Sequence, residues 1–188
     1  MAVIDGHPAM RAGIEALLSP ARDIQVVAGA SGDLNEVAHM LYSTTPDVVI
    51  VEDAPGRADG IELTRRIKGH VPAPQVVLYT DGVDPGSVAS AMLAGADALV
   101  DSRGDERNLG AAVRSAARGA PVFPELDPQA TAALEQRLPT EDQDILRMRL
   151  ATLSLREIAG LLRIDAGTLR ERLRTMIAAL RVPAPGVS

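Results

Sequence analysis

PDVVIVEDAPGRADG, residues 46–60, is the stretch that decides the fold. An apolar run from Val48 to Val51 ends in two acids, Glu52 and Asp53, which are followed by a loop rich in proline and glycine. A strand that is apolar throughout is typical of a parallel sheet covered on both faces. Ligand and reaction sites of such sheets lie at the carboxyl ends of the strands. The acid pair is therefore the first candidate for a functional site.

Further strands and amphipathic segments alternate along the first two thirds of the chain. The predicted strands are Ala2–Ile4, Ile24–Ala28, Val48–Val51, Gln75–Tyr79 and Ala98–Val100. The predicted helices between them are Pro8–Leu18, Leu34–Leu41, Ile61–Ile67, Pro85–Leu93 and Glu106–Arg118. Five such units predict a flavodoxin-like, doubly wound α/β domain with five parallel strands over residues 1–118.

A linker and a small helical domain are predicted after residue 118. Residues 119–130, GAPVFPELDPQA, contain three prolines, and a short connecting helix, Ala130–Arg137, completes the linker 119–137. Thr140 with Gln143, and Ser154 with Glu157, match capping boxes, and Asp165 suits an N-cap. The predicted helices are Glu141–Leu150, Leu155–Leu162 and Ala166–Leu180. Helix, short turn and helix predict an all-α helix-turn-helix domain over residues 138–182.

Composition narrows the classes of protein that remain. The chain has no cysteine, which excludes disulfides, thiolate catalysis and cysteine-based zinc sites. No apolar run reaches the length of a membrane helix, and a strand begins at once, so we expect no signal peptide and a cytoplasmic protein. Residues 1–127 carry 18 acidic against 10 basic side chains, and residues 128–188 carry 7 against 9. An acidic body with a mildly basic tail indicates two parts with different functions.

The last predicted helix has one apolar face and one polar face. Leu169, Leu173, Met176 and Leu180 form the stripe expected to be buried. The outward-facing residues are Gly167, Thr168, Glu171, Arg174 and Thr175, with Arg170 and Arg172 on the flanks. Arginines supply phosphate contacts and the other side chains supply base contacts in such helices, so this face is the candidate DNA-binding surface.

Together these features resemble the NarL/FixJ family of bacterial response regulators, which join a receiver domain to a LuxR-type helix-turn-helix. VIDGHPAMRAGIEALL resembles the family's first strand and helix, and PDVVIVEDAPGRADGIEL resembles its phosphoacceptor strand and loop. AGADALV resembles the last strand of the receiver, and LSLREIAGLLRIDAGTLRERLRTMIAAL resembles the DNA-binding core. The resemblance covers nearly the whole chain.

The resemblance also implies that the phosphorylation pocket is degenerate. A working receiver needs an Asp nucleophile, a Mg²⁺ ion held by acids, a Lys and a hydroxyl. The acid pair of the first strand becomes Asp5 and Gly6, the phosphoacceptor position holds Glu52, and the lysine position holds Ser102. Thr80 keeps the hydroxyl, whereas Leu99 replaces the reporting aromatic residue. We therefore predict a pseudo-receiver with no enzymatic activity and no cofactor, since Asp5 and Glu52 alone leave too few ligands for Mg²⁺.

The leading hypothesis is a phosphorylation-independent transcription regulator that binds double-stranded DNA. The predicted contacts come from Thr168, Arg170, Glu171, Arg172, Arg174 and Thr175. A homodimer is expected, with the receiver as a dimerisation or ligand-sensing module whose strand-end cleft takes a small-molecule effector. The family's fourth DNA-domain helix has no counterpart in RVPAPGVS, so either the chain is cut short or the dimer contacts lie elsewhere, for example on the receiver. His7, as a lone histidine, is assigned no ligand role.

Two alternatives stay open. The first is a conventional two-component response regulator phosphorylated on Glu52 or Asp53, although neighbouring strand residues point to opposite sides. The second is an adaptor that does not bind DNA and recognises partner proteins through its acidic first part. In that case the helical tail would be a packing or dimerisation domain.

Overall fold

The computed structural model describes residues 1–54, 59–104 and 107–181, which form strands and helices in the predicted alternation. The strands are β1 Ala2–Ile4, β2 Ala28–Ala30, β3 Val48–Asp53, β4 Gln75–Thr80 and β5 Ala98–Asp101. The helices are α1 Pro8–Leu18, α2 Leu34–Thr44, α3 Gly60–Lys68, α4 Pro85–Ala94, α5 Arg107–Ala117, α6 Pro128–Glu135, α7 Thr140–Leu150, α8 Leu155–Leu162 and α9 Ala166–Arg181. The predicted start of α5 at Glu106 and the tail beyond residue 181 lie outside the described residues.

The strands form one parallel sheet in the order β2-β1-β3-β4-β5, which confirms the predicted doubly wound α/β fold. Side chains alternate along each strand, so every second residue faces the same layer. Val48 and Ile50 of β3 pack in one core cluster with Val3 of β1. Residues of α1 and α5, such as Leu18 and Val113, complete that cluster. The covering helices account for the absence of polar residues from the centre of β3.

The predicted bounds of β2 were wrong, because the strand lies a few residues further along the chain. Ile24–Ala28 was expected, but Ala28–Ala30 pairs with Ala2–Ile4 of β1. Backbone hydrogen bonds from Val27 N to Met1 O and from Asp5 N to Ala30 O flank this ladder. Ile24 and Val26 pack partly buried against the core without joining the sheet, so their apolar character reflects packing rather than strand pairing.

The described chain divides into two compact units. The N-terminal unit comprises residues 1–83 and 96–123, and the C-terminal unit comprises residues 84–95 together with the chain from 124 onward. α4 lies within the predicted first domain, residues 1–118, and its contacts group it with the C-terminal helices. Within the C-terminal unit α4 contacts α9, α7 and α6.

Close packing and a buried cation hold α4 within the C-terminal unit. A Cβ atom added to Gly86 would lie 2.7 Å from the carbonyl oxygen of Leu180, so glycine allows the close approach of α4 to α9. The guanidinium group of Arg149, on α7, donates to the Met92 carbonyl from Nε at 2.9 Å and from Nη2 at 2.6 Å. Its Nη1 donates to the carbonyl of Leu153. Arg149 is 8% exposed, so these bonds form largely away from water.

The helices of the C-terminal unit begin where capping groups satisfy their free N–H groups, with one exception. Ser154 and Glu157 form the predicted capping box of α8, and Asp165 accepts from the N–H groups of Gly167 and Thr168 at the start of α9. The capping box predicted at Thr140 was wrong. Pro139 precedes α7 and offers no side-chain cap, so Thr140 lies inside the helix.

Three residues separate α8 from α9, and Arg163 ends α8 in the left-handed conformation. The predicted apolar stripe of α9 is buried, and Ile177 joins it. Helix, tight turn and helix are thus present as the sequence indicated. Within the described part of the chain, no helix is long and apolar enough to cross a membrane.

Candidate functional site

Asp5 and Glu52 lie side by side where β1 and β3 end. Ile4 pairs with Val51 across the two parallel strands. The residues that follow them, Asp5 and Glu52, are therefore neighbours. Asp5 is 1% exposed, and the side chain of Glu52 is 18% exposed. The structure therefore brings together two of the five residues assigned to the degenerate pocket, and both are largely removed from water.

His7 joins these two acids. Its Nδ1 lies 3.2 Å from Oδ1 of Asp5 and 3.9 Å from Oε1 of Glu52. Its backbone N–H also donates to the same Asp5 oxygen at 2.6 Å. Pro8 opens α1 immediately after His7, which fixes the histidine at the helix start beside the strand end. Sequence reasoning missed His7, although its position two residues after a strand-end acid was a usable signal. We call Asp5, His7 and Glu52 the strand-end site.

The charge on Glu52 is disfavoured at this position. Burial raises the pKa of its carboxyl group above the ordinary value, and the neighbouring Asp5 raises it further. A hydrogen bond from the Gly6 backbone and the positive field of His7 oppose the shift. Within the described ranges, His7 provides the one basic group at ion-pair distance from Glu52.

Glu52→Gln is expected to stabilise the protein at neutral pH and to lose that advantage in acid. Because the folded state raises the pKa of Glu52, the ionised carboxylate opposes folding once the pH exceeds the ordinary glutamate pKa. Below that pH the carboxyl group is protonated in both folded and unfolded chains, and glutamine gains little. Urea unfolding in EDTA at about pH 4 and about pH 7 measures the difference. Glu15→Gln, on the exposed side of α1, is the control. Equal stability of Glu52→Gln and the natural chain at neutral pH would contradict the assigned burial effect.

Asp53 is directed away from this arrangement by strand alternation. It pairs with Thr80 of β4, whereas Glu52 pairs with Tyr79. Tyr79 belongs to the core cluster that includes Val48 and Ile50, the residues that share the parity of Glu52. Glu52 and Asp53 thus face opposite sides of the sheet, and Glu52 is the acid beside Asp5.

Three described basic residues of the N-terminal unit have partners other than the carboxylates of Asp5 and Glu52. Lys68, the only lysine of the chain, donates from Nζ to Asp97 at 2.8 Å and to the Pro74 carbonyl at 3.3 Å, near the opposite, amino end of β4. Arg11 donates to the backbone carbonyl of Asp5 at 2.6 Å rather than to its carboxylate. Arg103 pairs with Asp81 at 2.8 Å.

The remaining pocket residues lie along the same edge of the sheet. Thr80 is buried at the end of β4, and its carbonyl accepts from the N–H of Ser102 at 2.9 Å. Ser102 and Gly6 are exposed. Of the predicted pocket, Asp5 and Glu52 form the interacting pair, and Thr80 and Ser102 are joined through backbone.

A small-molecule cleft was expected at the carboxyl ends of the strands. Two cavities of the N-terminal unit lie elsewhere. One, of about 540 Å³, is bordered by Tyr42, Pro46, Pro72 and Gln75, and another is bordered by Met1, Asp23 and Arg114. Both lie near the amino end of β3, opposite to the strand-end site.

The outward face of α9 is a second candidate site, in the C-terminal unit. Five of the six predicted DNA-contacting residues are exposed: Thr168, Arg170, Glu171, Arg174 and Thr175. We call these five residues the recognition face. Glu171 and Arg174 pair at 2.7 Å, and Thr168 is held by the capping residue Asp165. Arg156 and Arg163, on the preceding helix and turn, are also exposed and were not among the predicted DNA contacts.

Arg172 is directed into the C-terminal unit. Its Nε donates to Oδ1 of Asp142 at 2.6 Å, and it also donates to the carbonyl of Glu141. Asp142 is 6% exposed, so this ion pair fastens α9 to α7 in a largely buried setting. The guanidinium group is therefore already committed within the unit. The structure thus shows Arg172 in an ion pair within the unit, and its DNA contact stays a prediction.

Known response regulators are similar to this chain over most of its length. The response regulator receiver domain family matches residues 1–114. The response regulator protein VraR of Staphylococcus aureus is 29% identical over 187 residues, covering 95% of this chain and 88% of VraR.

Two solved structures show the same architecture. A two-component response regulator of the LuxR family from Aurantimonas sp. SI85-9A1 is 28% identical, with a TM-score of 0.59 over 70% of this chain and 91% of that one. The response regulator ChrA of a heme-sensing two-component system is also 28% identical, with a TM-score of 0.52 over 96% of this chain and 94% of that one.

Proposed function

This chain belongs to the response regulator family, with LuxR-family relatives, and from that membership we propose that it is a DNA-binding transcription regulator that acts without phosphorylation. The observation that carries the DNA-binding part is the recognition face of α9. Its polar residues stand outward while the apolar stripe behind them is buried, as a helix that enters a major groove requires. Double-stranded DNA is the proposed partner.

Phosphorylation independence is supported by the charges around Glu52. Transfer of a phosphoryl group needs positive charge at the acceptor, and the one described basic group at ion-pair distance, His7, is itself shared with Asp5. Gly6 replaces one magnesium ligand, and the extra methylene of Glu52 displaces the nucleophile by up to ~1.5 Å. A displacement of about 1 Å can already cost roughly a hundredfold in rate.

Under this proposal the receiver serves as a binding or dimerisation module rather than as a phosphorylation switch. A homodimer would present two α9 helices to two half-sites, as symmetric regulators do. No enzymatic step is proposed for the chain, because His7 is the one basic group among the described residues that lies at ion-pair distance from Glu52.

One experiment with two arms tests the proposal. Binding of the full chain to genomic DNA fragments is measured by mobility shift over a salt series, with and without a small phosphodonor and Mg²⁺. We expect affinity to fall with salt along a negative log–log slope. Replacing both Arg170 and Arg174 by alanine is expected to lower affinity about tenfold or more. The phosphodonor is expected to change neither the intact mass nor the affinity.

The matched control removes two arginines from the N-terminal unit. Arg22→Ala with Arg118→Ala takes away the same charge from exposed positions and is expected to leave DNA affinity unchanged. No retained fragment at low salt would overturn DNA binding. A mass gain that disappears in Glu52→Gln would overturn phosphorylation independence alone.

A further inference from the structure

Glu171 is an acid within the recognition face of α9. Its side chain is 65% exposed, and so is that of Arg174, one helical turn further along. Nη2 of Arg174 donates to Oε1 of Glu171 at 2.7 Å. The phosphate groups of DNA repel a carboxylate. An acid at this position is therefore unfavourable for DNA binding unless it meets a hydrogen-bond donor in the groove.

The other polar side chains of the recognition face make bonds within the start of α9 or to its backbone. The hydroxyl of Thr168 donates to the capping carboxylate, and Nε of Arg170 donates to a carbonyl of the first turn at 2.9 Å. The hydroxyl of Thr175 donates to the Glu171 carbonyl at 3.3 Å. Glu171 and Arg174 instead hold each other through their charged ends. An exposed ion pair is weak, so a base edge can replace either partner.

The spacing of Glu171 and Arg174 fits neighbouring bases. Side chains three residues apart on a helix have Cβ atoms about 5–6 Å apart, and successive bases of one strand are about 3.4 Å apart along the DNA axis. In the major groove, arginine donates to O6 and N7 of guanine, and a carboxylate accepts from the N4 amino group of cytosine. Adenine also has an amino group, but its neighbouring N7 acceptor repels a carboxylate. The pair is therefore complementary to guanine and cytosine.

We propose that Glu171 is a specificity-determining residue that selects a cytosine in the DNA site, beside a guanine bound by Arg174. This inference rests on the proposed DNA binding and adds a base preference that phosphate contacts cannot supply. Glutamine at the same position would present one donor and one acceptor, which match N7 and N6 of adenine. Glu171→Gln is therefore expected to change the preferred base from cytosine to adenine.

The competing role for Glu171 is purely electrostatic. An acid that pairs with Arg174 and repels phosphate would weaken binding to every sequence alike. In that case Glu171→Gln raises the affinity for all duplexes by the same factor and leaves the preferred sequence unchanged. The two roles thus differ in which duplexes respond to the substitution.

Selection from a pool of random DNA duplexes separates the two roles. The full chain and each variant are incubated with the pool, and the duplexes retained in a mobility shift are sequenced. We expect the natural chain to enrich cytosine at one position, Glu171→Gln to enrich adenine there, and Glu171→Ala to lose the preference at that position alone. Duplexes that differ only in this base pair are then titrated. The natural chain is expected to prefer cytosine by about tenfold or more, and Glu171→Gln to reverse the preference.

Asp144→Asn is the matched control. Asp144 forms an exposed ion pair with Arg147 at 3.0 Å, again three residues apart, but on α7 and outside the recognition face. The variant removes the same charge from a pair of the same spacing, and we expect it to select the same sequence as the natural chain.

The remaining outcomes overturn the inference. An unchanged selected sequence in Glu171→Gln, with or without higher affinity, contradicts base selection and leaves DNA binding intact. The same holds if the natural chain binds DNA without enriching cytosine, or if Asp144→Asn changes the base as Glu171→Gln does. No retained duplex at low salt overturns the proposed DNA binding itself. Far-UV circular dichroism shows that each variant is folded, and Glu171→Ala decides if Glu171→Gln is misfolded.

Discussion

Replacing Arg149 with methionine is expected to lower the free energy of unfolding of the C-terminal unit by about 3 kcal/mol. The substitution keeps the apolar stem of the side chain but removes the donors to the carbonyls of Met92 and Leu153. Hydrogen bonds to a charged group contribute roughly 1.5–3 kcal/mol each, and the Met92 oxygen would keep the N–H of Gly95 as a donor. Urea unfolding followed by far-UV circular dichroism measures the loss, and hydrogen exchange of the α4 amides locates it.

Arg147 provides the matched control on the same helix. Its side chain is 53% exposed and pairs with Glu135 at 2.7 Å. Exposed ion pairs contribute about 1 kcal/mol or less, so Arg147→Met is expected to have a small effect. Arg149→Lys should fall between, because lysine keeps the charge but lacks the planar fork that reaches two carbonyls. If Arg149→Met and Arg147→Met were equally mild, α4 would not depend on the buried guanidinium group.

Arg172→Leu is expected to destabilise the C-terminal unit by a similar amount, about 2–4 kcal/mol. The loss arises because the buried carboxyl group of Asp142, 6% exposed, would be left without its ion-pair partner. Arg174→Leu, two residues along α9, removes an exposed pair with Glu171 and should cost less than about 1 kcal/mol. The two variants delete the same charge from one helix, so their difference measures the buried pair.

A double-mutant cycle tests the cause. If the cost of Arg172→Leu comes from the orphaned carboxylate, Asp142→Leu in the same chain should recover much of it, because an apolar pair can replace a buried ion pair with little loss. Additive losses in the double variant would show that Arg172 stabilises α9 by some other contact. DNA affinity of the folded double variant should stay within about threefold of the natural chain, since Arg172 lies outside the recognition face.

The elements with strong local signals could be predicted closely. α1 begins at Pro8 and ends at Leu18 as expected, because the proline and the apolar spacing both act within the helix itself. α8 begins after Ser154 for the same reason, since its capping box is local. β2 was displaced because Ile24 and Val26 are apolar for packing, and pairing with β1 is decided by residues far away in sequence.

In the candidate sites too, features set by local sequence or by the parallel order of the strands could be predicted, and side-chain contacts between distant residues could not. Asp5 and Glu52 were expected to meet because parallel strands end at one edge of the sheet, and they do. The predicted outward residues of α9 are exposed where helical periodicity alone decides. Arg172 differs because it forms an ion pair with Asp142, a buried acid on α7. Helical periodicity within α9 cannot predict a partner on another helix. His7 was dismissed as a lone histidine because its nearness to Glu52 requires the β1–β3 pairing.

The placement of α4 with the C-terminal helices affects how the chain is made. Eight of the ten α4 residues are buried, among them Val88 and Leu93. Its partner α9 is not complete until residue 181, so the ribosome adds a further 87 residues after Ala94 before packing can finish. At about 5–20 residues per second this is an interval of roughly 4–17 s. During synthesis α4 is therefore an apolar segment that lacks its packing partners for several seconds, a state in which chaperones can bind it.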